Sequence, residues 1–185
     1  MIEWDIFTNE LKDFNNDRKS KSLEESAIFY ANLYYNSILD SELTIGNKYI
    51  PNPGSISILE NGFISFFTIN INLTVPISIN NTLPLANAII TFWKSQGFKP
   101  LPPHPPTTSP TTGVTIDYWG DVNILATELL NSFTSELLNT VQSNIFVNRF
   151  AAALQNHLLL VLGNYYGLVP GSPPTPLVVP WVGVY

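Results

Sequence analysis

The stretch SLEESAIFYANLYYNSI, residues 22–38, decides the fold class. Ser22 followed three residues later by Glu25 is a capping box: the Ser22 hydroxyl takes the Glu25 N–H, and the Glu25 carboxylate returns to the Ser22 backbone. Behind that start signal, Leu23, Ala27, Tyr30, Ala31, Tyr34, Tyr35 and Ile38 fall on one stripe at helical spacing. Further helical stretches lie on both sides of it along the chain. The segment therefore predicts a mainly α protein.

Working outward, Trp4, Phe7, Leu11 and Phe14 predict an amphipathic helix over residues 3–14, joined to the first by the solvated run NNDRKSKS. On the other side, GNKYIPNPGS is punctuated by Pro51, Pro53 and Gly54. Leu59, Phe63, Phe66 and Phe67 then suit a helix over 55–67. Ile69, Ile71, Leu73, Val75, Ile77 and Ile79 alternate with small polar residues, so 68–79 reads as a strand, with Pro76 confining it to an edge or bulge. LPLANAIITFWKSQG reads as a helix with Pro84 in its first turn and Gly97 as its left-handed stop. The Pro-rich loop 100–113 can be neither helix nor central strand. VTIDYW is a short extended piece, after which Asp121 caps a helix bearing Val122, Leu125, Ala126, Leu129, Phe133 and Leu137. A last helix starts near Ser143 and carries Phe146, Phe150, Ala153, Leu154, His157 and Leu158; LLLVLG ends it or leaves it as a strand. The expectation is a small domain of four to five helices with a minor β element and extended Pro-rich arms. Residues 1–169 form the domain and 170–185 an apolar carboxyl-terminal arm.

Composition narrows the partners. Of 185 residues only 12% are charged, about half the usual share, and the net charge is −6. A nucleic-acid surface needs clustered Lys and Arg, so no nucleic-acid partner is expected. Half of both charge types lies near the amino end: Lys12, Arg18, Lys19 and Lys21, and the acids from Glu3 to Glu25. From Asn61 to Trp93 there is no Asp, Glu, Lys or Arg. FAAALQNHLLLVLG is too short and too often interrupted by polar groups to span a membrane. The opening MIEWDIFTNELKDF has acids where a secretory leader would have a basic region, so none is expected. Without cysteine, neither disulfides nor thiolate metal sites arise.

No residue set points to catalysis. His104 sits in Pro-Pro-His-Pro-Pro, a segment that cannot hold a base in place. His157 lies on an apolar stripe, as a hydrogen-bonded core histidine would. Asp117 and Asp121 are better read as a turn residue and an N-cap than as a carboxylate pair, and Glu24 and Glu25 belong to a helix start. The Asn72 and Asn80 acceptor patterns for glycosylation arise by chance in an Asn-rich chain. No metal, cofactor or enzymatic activity is expected.

The apolar tail PTPLVVPWVGVY raises a different possibility. Leu177, Val178, Val179, Trp181, Val182, Val184 and Tyr185 are too apolar to stay wet and too interrupted by Pro to form a core of their own. They predict an interface, made either with the chain's own domain or with another subunit. The uncharged belt 61–93 suggests the same, because interface cores are poor in charge. Removing residues 176–185 is expected to abolish assembly and spare the helices.

The block LPLANAIITFWKSQGF, the gap PLPPHPPTTSPTTGV, the ELLNSF helix and RFAAALQNHLLLVLG resemble, over about residues 83–165, small structural proteins of tailed bacteriophages. The resemblance implies a non-enzymatic virion subunit of neck, tail or capsid, whose partners are its own copies and other virion proteins. The alternative from the residues themselves is a secreted or surface glycan-binding module using Tyr118-Trp119 or Tyr165-Tyr166 as platforms.

Overall fold

The computed structural model describes residues 2–17, 21–44, 47–70, 77–99, 113–133, 140–169 and 173–185. They form six helices and two small sheets. The helices are α1 (Trp4–Asn16), α2 (Leu23–Ser37), α3 (Ile56–Asn70), α4 (Ile79–Lys94), α5 (Val122–Phe133) and α6 (Thr140–Leu159). The strands are β1 (Tyr49–Ile50), β2 (Gly97–Phe98), β3 (Gly113–Tyr118), β4 (Leu162–Val169) and β5 (Thr175–Val182).

The capping box of α2 forms as read: the Ser22 Oγ accepts the Glu25 N–H at 3.1 Å and Glu25 Oε2 accepts the Ser22 N–H at 2.7 Å. The Ser22 donors, backbone first, hold the Glu25 carboxyl below its ordinary range. Each helix packs on the next, α1 on α2 through α5 on α6, and α6 returns to α1. The ring is closed around aromatic side chains. Phe150 of α6 lies 6.1 Å from Phe7 of α1, 6.0 Å from Tyr30 of α2, 6.2 Å from Phe63 of α3 and 5.8 Å from Phe133 of α5, between ring centroids. These are the separations at which edge-to-face and offset pairs attract. A second knot joins α2 to α4: the buried Trp93 Nε1 donates to the Tyr34 hydroxyl at 2.9 Å. Burial pushes that phenol's pKa up, against the opposing effect of the Trp93 hydrogen bond. Between α3 and α4 the approach is so close that a Cβ on Gly62 would run into Ala88.

β1 and β2 form a short antiparallel pair, Tyr49 opposite Phe98 and Ile50 opposite Gly97. The larger sheet has the order β3-β4-β5, antiparallel throughout, with a bulge between Ile116 and Tyr118. Its inner face puts Tyr165 and Trp181 in the same core as the helices. Trp181 pairs with Gly163, whose missing side chain leaves space for the indole and for the Thr115 carbonyl.

Several expectations are corrected. The described residues hold six helices, not four to five. Of the expected strand 68–79, residues 68–70 continue α3 and Ile79 begins α4; residues 71–76 lie outside the described residues, as do 100–112 of the Pro-rich loop, His104 included, and Leu137. Alternation misled because Ile69 and Ile79 sit on separate helices. Pro84 is inside α4 rather than in its first turn, since Ser78 and Asn81 start the helix earlier: Asn81 Oδ1 accepts the Ser78 N–H at 2.8 Å. Gly97 does not stop the helix in the left-handed region; it is paired in β2, and among the described residues the glycines with positive φ are Gly120 and Gly183. Residues 175–182, expected in an extended arm, are a strand of the domain's own sheet.

Because Phe150 is fully buried and touches rings on four other helices, its removal leaves a central cavity. Phe150→Ala is expected to lower the unfolding free energy by about 3–5 kcal/mol, read from urea denaturation followed by far-UV circular dichroism.

Candidate interaction surface

The carboxyl terminus is tied to its own chain. The Gly183 N–H donates to the Val161 carbonyl at 2.7 Å and the Val184 N–H to the Leu158 carbonyl at 3.0 Å. Glu42 and Tyr185 exchange both backbone bonds, at 2.7 and 2.8 Å, around the Leu43–Val184 bridge. Gly183, at φ 93°, makes the turn that allows this. Trp181 and Val184 are buried in the domain core. Leu177 and Val179 are half-buried, and Val178, Val182 and Tyr185 are exposed. The tail residues singled out in the sequence therefore divide between a core set and an outward set. This changes the expected effect of truncation. Deleting 176–185 removes two core side chains and most of β5, so the helices lose support as well. The truncated protein is expected to show a broadened or absent thermal transition by circular dichroism, whatever its state of assembly.

The outward set lies on one face of the sheet. Registers place Tyr118, Leu162 and Val182 in one row across the strands, Thr115, Asn164 and Pro180 in the next, and Tyr166 and Val178 in the third. Tyr118, Leu162, Tyr166, Val178 and Val182 are 37–52% exposed, on neighbouring positions rather than scattered. Within the three strands the only acidic or basic side chain is Asp117, and its Oδ2 accepts the Asn164 Nδ2 at 2.6 Å. What this face offers is dispersion contact and water exclusion.

The charge-free belt behaves differently. Most exposed positions of α3 and α4 are uncharged polar residues: Ser57, Asn61, Ser65, Thr68, Asn80, Asn87 and Thr91. Among its described residues the belt buries its apolar stripes in the ring and meets water mostly through amides and hydroxyls.

Other sequence candidates find structural places. Asp121 caps α5, its Oδ1 accepting the Asn123 N–H at 2.7 Å. The proposed aromatic platforms are split: Tyr165 is buried while Tyr166 faces out, and Trp119 stacks on Trp93 at 6.1 Å while Tyr118 faces out. His157 is buried at the end of α6, as its stripe predicts, but its Nε2 has no hydrogen-bonding partner among the described residues. Gly120, at φ 84°, packs so closely on the imidazole that a Cβ there would meet Nδ1 at 2.8 Å. Burial raises the pKa of Glu128, opposed by a hydrogen bond from Asn156. A cavity of about 320 Å³, missed in the sequence, lies among Tyr30, Phe66, Phe67, Phe133, Phe146 and Asn70. It assembles from four helices, so no local pattern marks it. Among the described residues no group of His, Asp or Glu could hold a metal ion, and no helix is long and apolar enough to cross a membrane. Compared with protein-family models, curated proteins and solved structures, the chain matches none of them.

Burial lowers the His157 pKa from 6.5 to about 4. The folded imidazole thus binds a proton more weakly than the unfolded one. Its contribution to stability is complete above the unfolded value and is lost as the pH falls from about 6.5 towards 4, by about 3 kcal/mol in all. Urea titrations at several pH values should show a flatter acid dependence for His157→Leu than for wild type.

Proposed function

We propose that this chain is a non-enzymatic structural subunit of a bacteriophage virion, at the neck, tail or capsid. In this reading it is held in place by other copies of itself and by neighbouring virion proteins. One observation carries the reading: a folded sheet face with five large apolar side chains turned outward and a single, hydrogen-bonded carboxylate. Such a face is stable in water when another polypeptide covers it. The resemblance of residues 83–165 to tailed-phage structural proteins gives the assembly its setting. The sheet is also built for a static role. Its edge strand β5 is laced at its end to residues 42–44 and to the end of α6, which fixes the outward side chains relative to the helical ring. Mass spectrometry of virions purified from the source phage should recover the chain in stoichiometric amounts. Its absence from washed particles would remove the structural role.

A further inference from the structure

We infer that the sheet's outer face is covered by a second copy of this chain, stacked face to face about a two-fold axis. The inference rests on the reading of the chain as a structural subunit and names the partner at that surface.

The face is self-complementary in chemistry. It carries no cation and only one anion, itself engaged by Asn164, so nothing on it selects a partner of opposite charge. A two-fold contact places identical patches against each other, which a neutral apolar face tolerates and a charged one does not. Two such sheets stacked face to face lie about 10 Å apart. A pair that covers all five exposed apolar side chains buries on the order of 1,000 Å², the threshold for a biological interface and below the roughly 1,200–2,000 Å² of specific, stable ones.

The neighbouring way of joining sheets, strand addition at the β5 edge, is obstructed. Gly183 turns its N–H towards the domain, to Val161, and Val182 turns its carbonyl the other way, to the Thr44 hydroxyl. Even-numbered positions of β5 therefore direct their backbone to the outer edge. Two of them, Pro176 and Pro180, have no N–H to give. The edge is blunted and the face is left as the contact.

Sedimentation of the purified full chain at micromolar concentrations should show a dimer, and Val178→Lys combined with Val182→Lys should shift it to monomer with unchanged far-UV circular dichroism. The two lysines take the net charge from −6 to −4, so the loss cannot come from greater overall repulsion. Ile124→Lys, on the exposed side of α5, should remain dimeric. As a second measurement that needs no disruptive variant, Tyr166→Cys gives this cysteine-free chain one thiol on the face. Its maleimide labelling should slow several-fold as protein concentration rises through the dimerisation range. A monomeric wild-type chain, a double-lysine variant that stays dimeric, or concentration-independent labelling each overturns the proposal. A monomer that is nonetheless present in virions would mean that a different protein covers the face, which ends this inference and leaves the structural role standing. A dimer absent from virions would do the reverse.

Discussion

The fold depends on one crowded point, the ring of Phe150. Five of the six helices place an aromatic side chain within about 6 Å of it or on the same helix, and Tyr34 and Trp93 extend the cluster to α4. A closed ring of helices leaves an axial space that small aliphatic residues fill poorly. Planar rings fill it because they meet edge to face at several angles. Close packing then requires compensation at the periphery: Gly62 lets α3 approach α4, and Ala27, Ala31, Ala86 and Ala126 are buried where helices meet. The interior is held by shape. Few ion pairs are needed, and the chain has few charges to make them.

The sheet is attached to this ring through aromatic and backbone contacts of the same economy. Gly163 leaves room for Trp181, which roofs the inner face and joins Tyr165 in the common core. The terminal residues then turn at Gly183 and pair with residues 42–44. Tyr49, next along the chain, packs at 5.6 Å from Trp93. The carboxyl end, the segment after α2 and the Tyr34–Trp93 hydrogen bond thus belong to one continuous stretch of core. This explains how an apolar terminus with no charge can be ordered: Trp181 and Val184 are interior, and the N–H groups of residues 183–185 all have backbone partners.

How much of this was legible in the sequence follows from the range of each interaction. The α2 stripe and its capping box span a few residues, and both appear where read. The inward stripes of α5 and α6 were likewise readable, since a helix face is fixed by local spacing. The boundary between α3 and α4 was not. Ile69 to Ile79 alternates, but the helix hydrogen bonds that claim Ile69 and the Ser78–Asn81 cap that claims Ile79 outweigh that pattern. Pro84 was placed wrongly for the same reason, because tertiary packing of α4 absorbs the loss of one backbone bond. Whether the tail turned inward or outward could not be read at all. Its apolar residues occupy both parities of a strand, and only pairing with β4 decides that Trp181 faces the core and Val182 the solvent.

The same comparison separates two signals that look alike in composition. A segment without Lys, Arg, Asp or Glu suggests a covered surface, because exposed surfaces usually carry many charges. In α3 and α4 the missing charge is replaced by other polar groups: asparagine, serine and threonine occupy most of the wet positions. Hydroxyls and amides hydrate well without carrying charge, and they cost nothing in electrostatic self-repulsion. On the β3-β4-β5 face no such replacement has occurred. There tyrosine, leucine and valine stand beside one another, and of the polar groups among them Asp117 and Asn164 bond to each other. Missing charge permits burial, whereas contiguous apolar exposure favours it. Among the described residues the helical belt meets only the first condition and the sheet face meets both, which is why the proposed association is placed at the sheet.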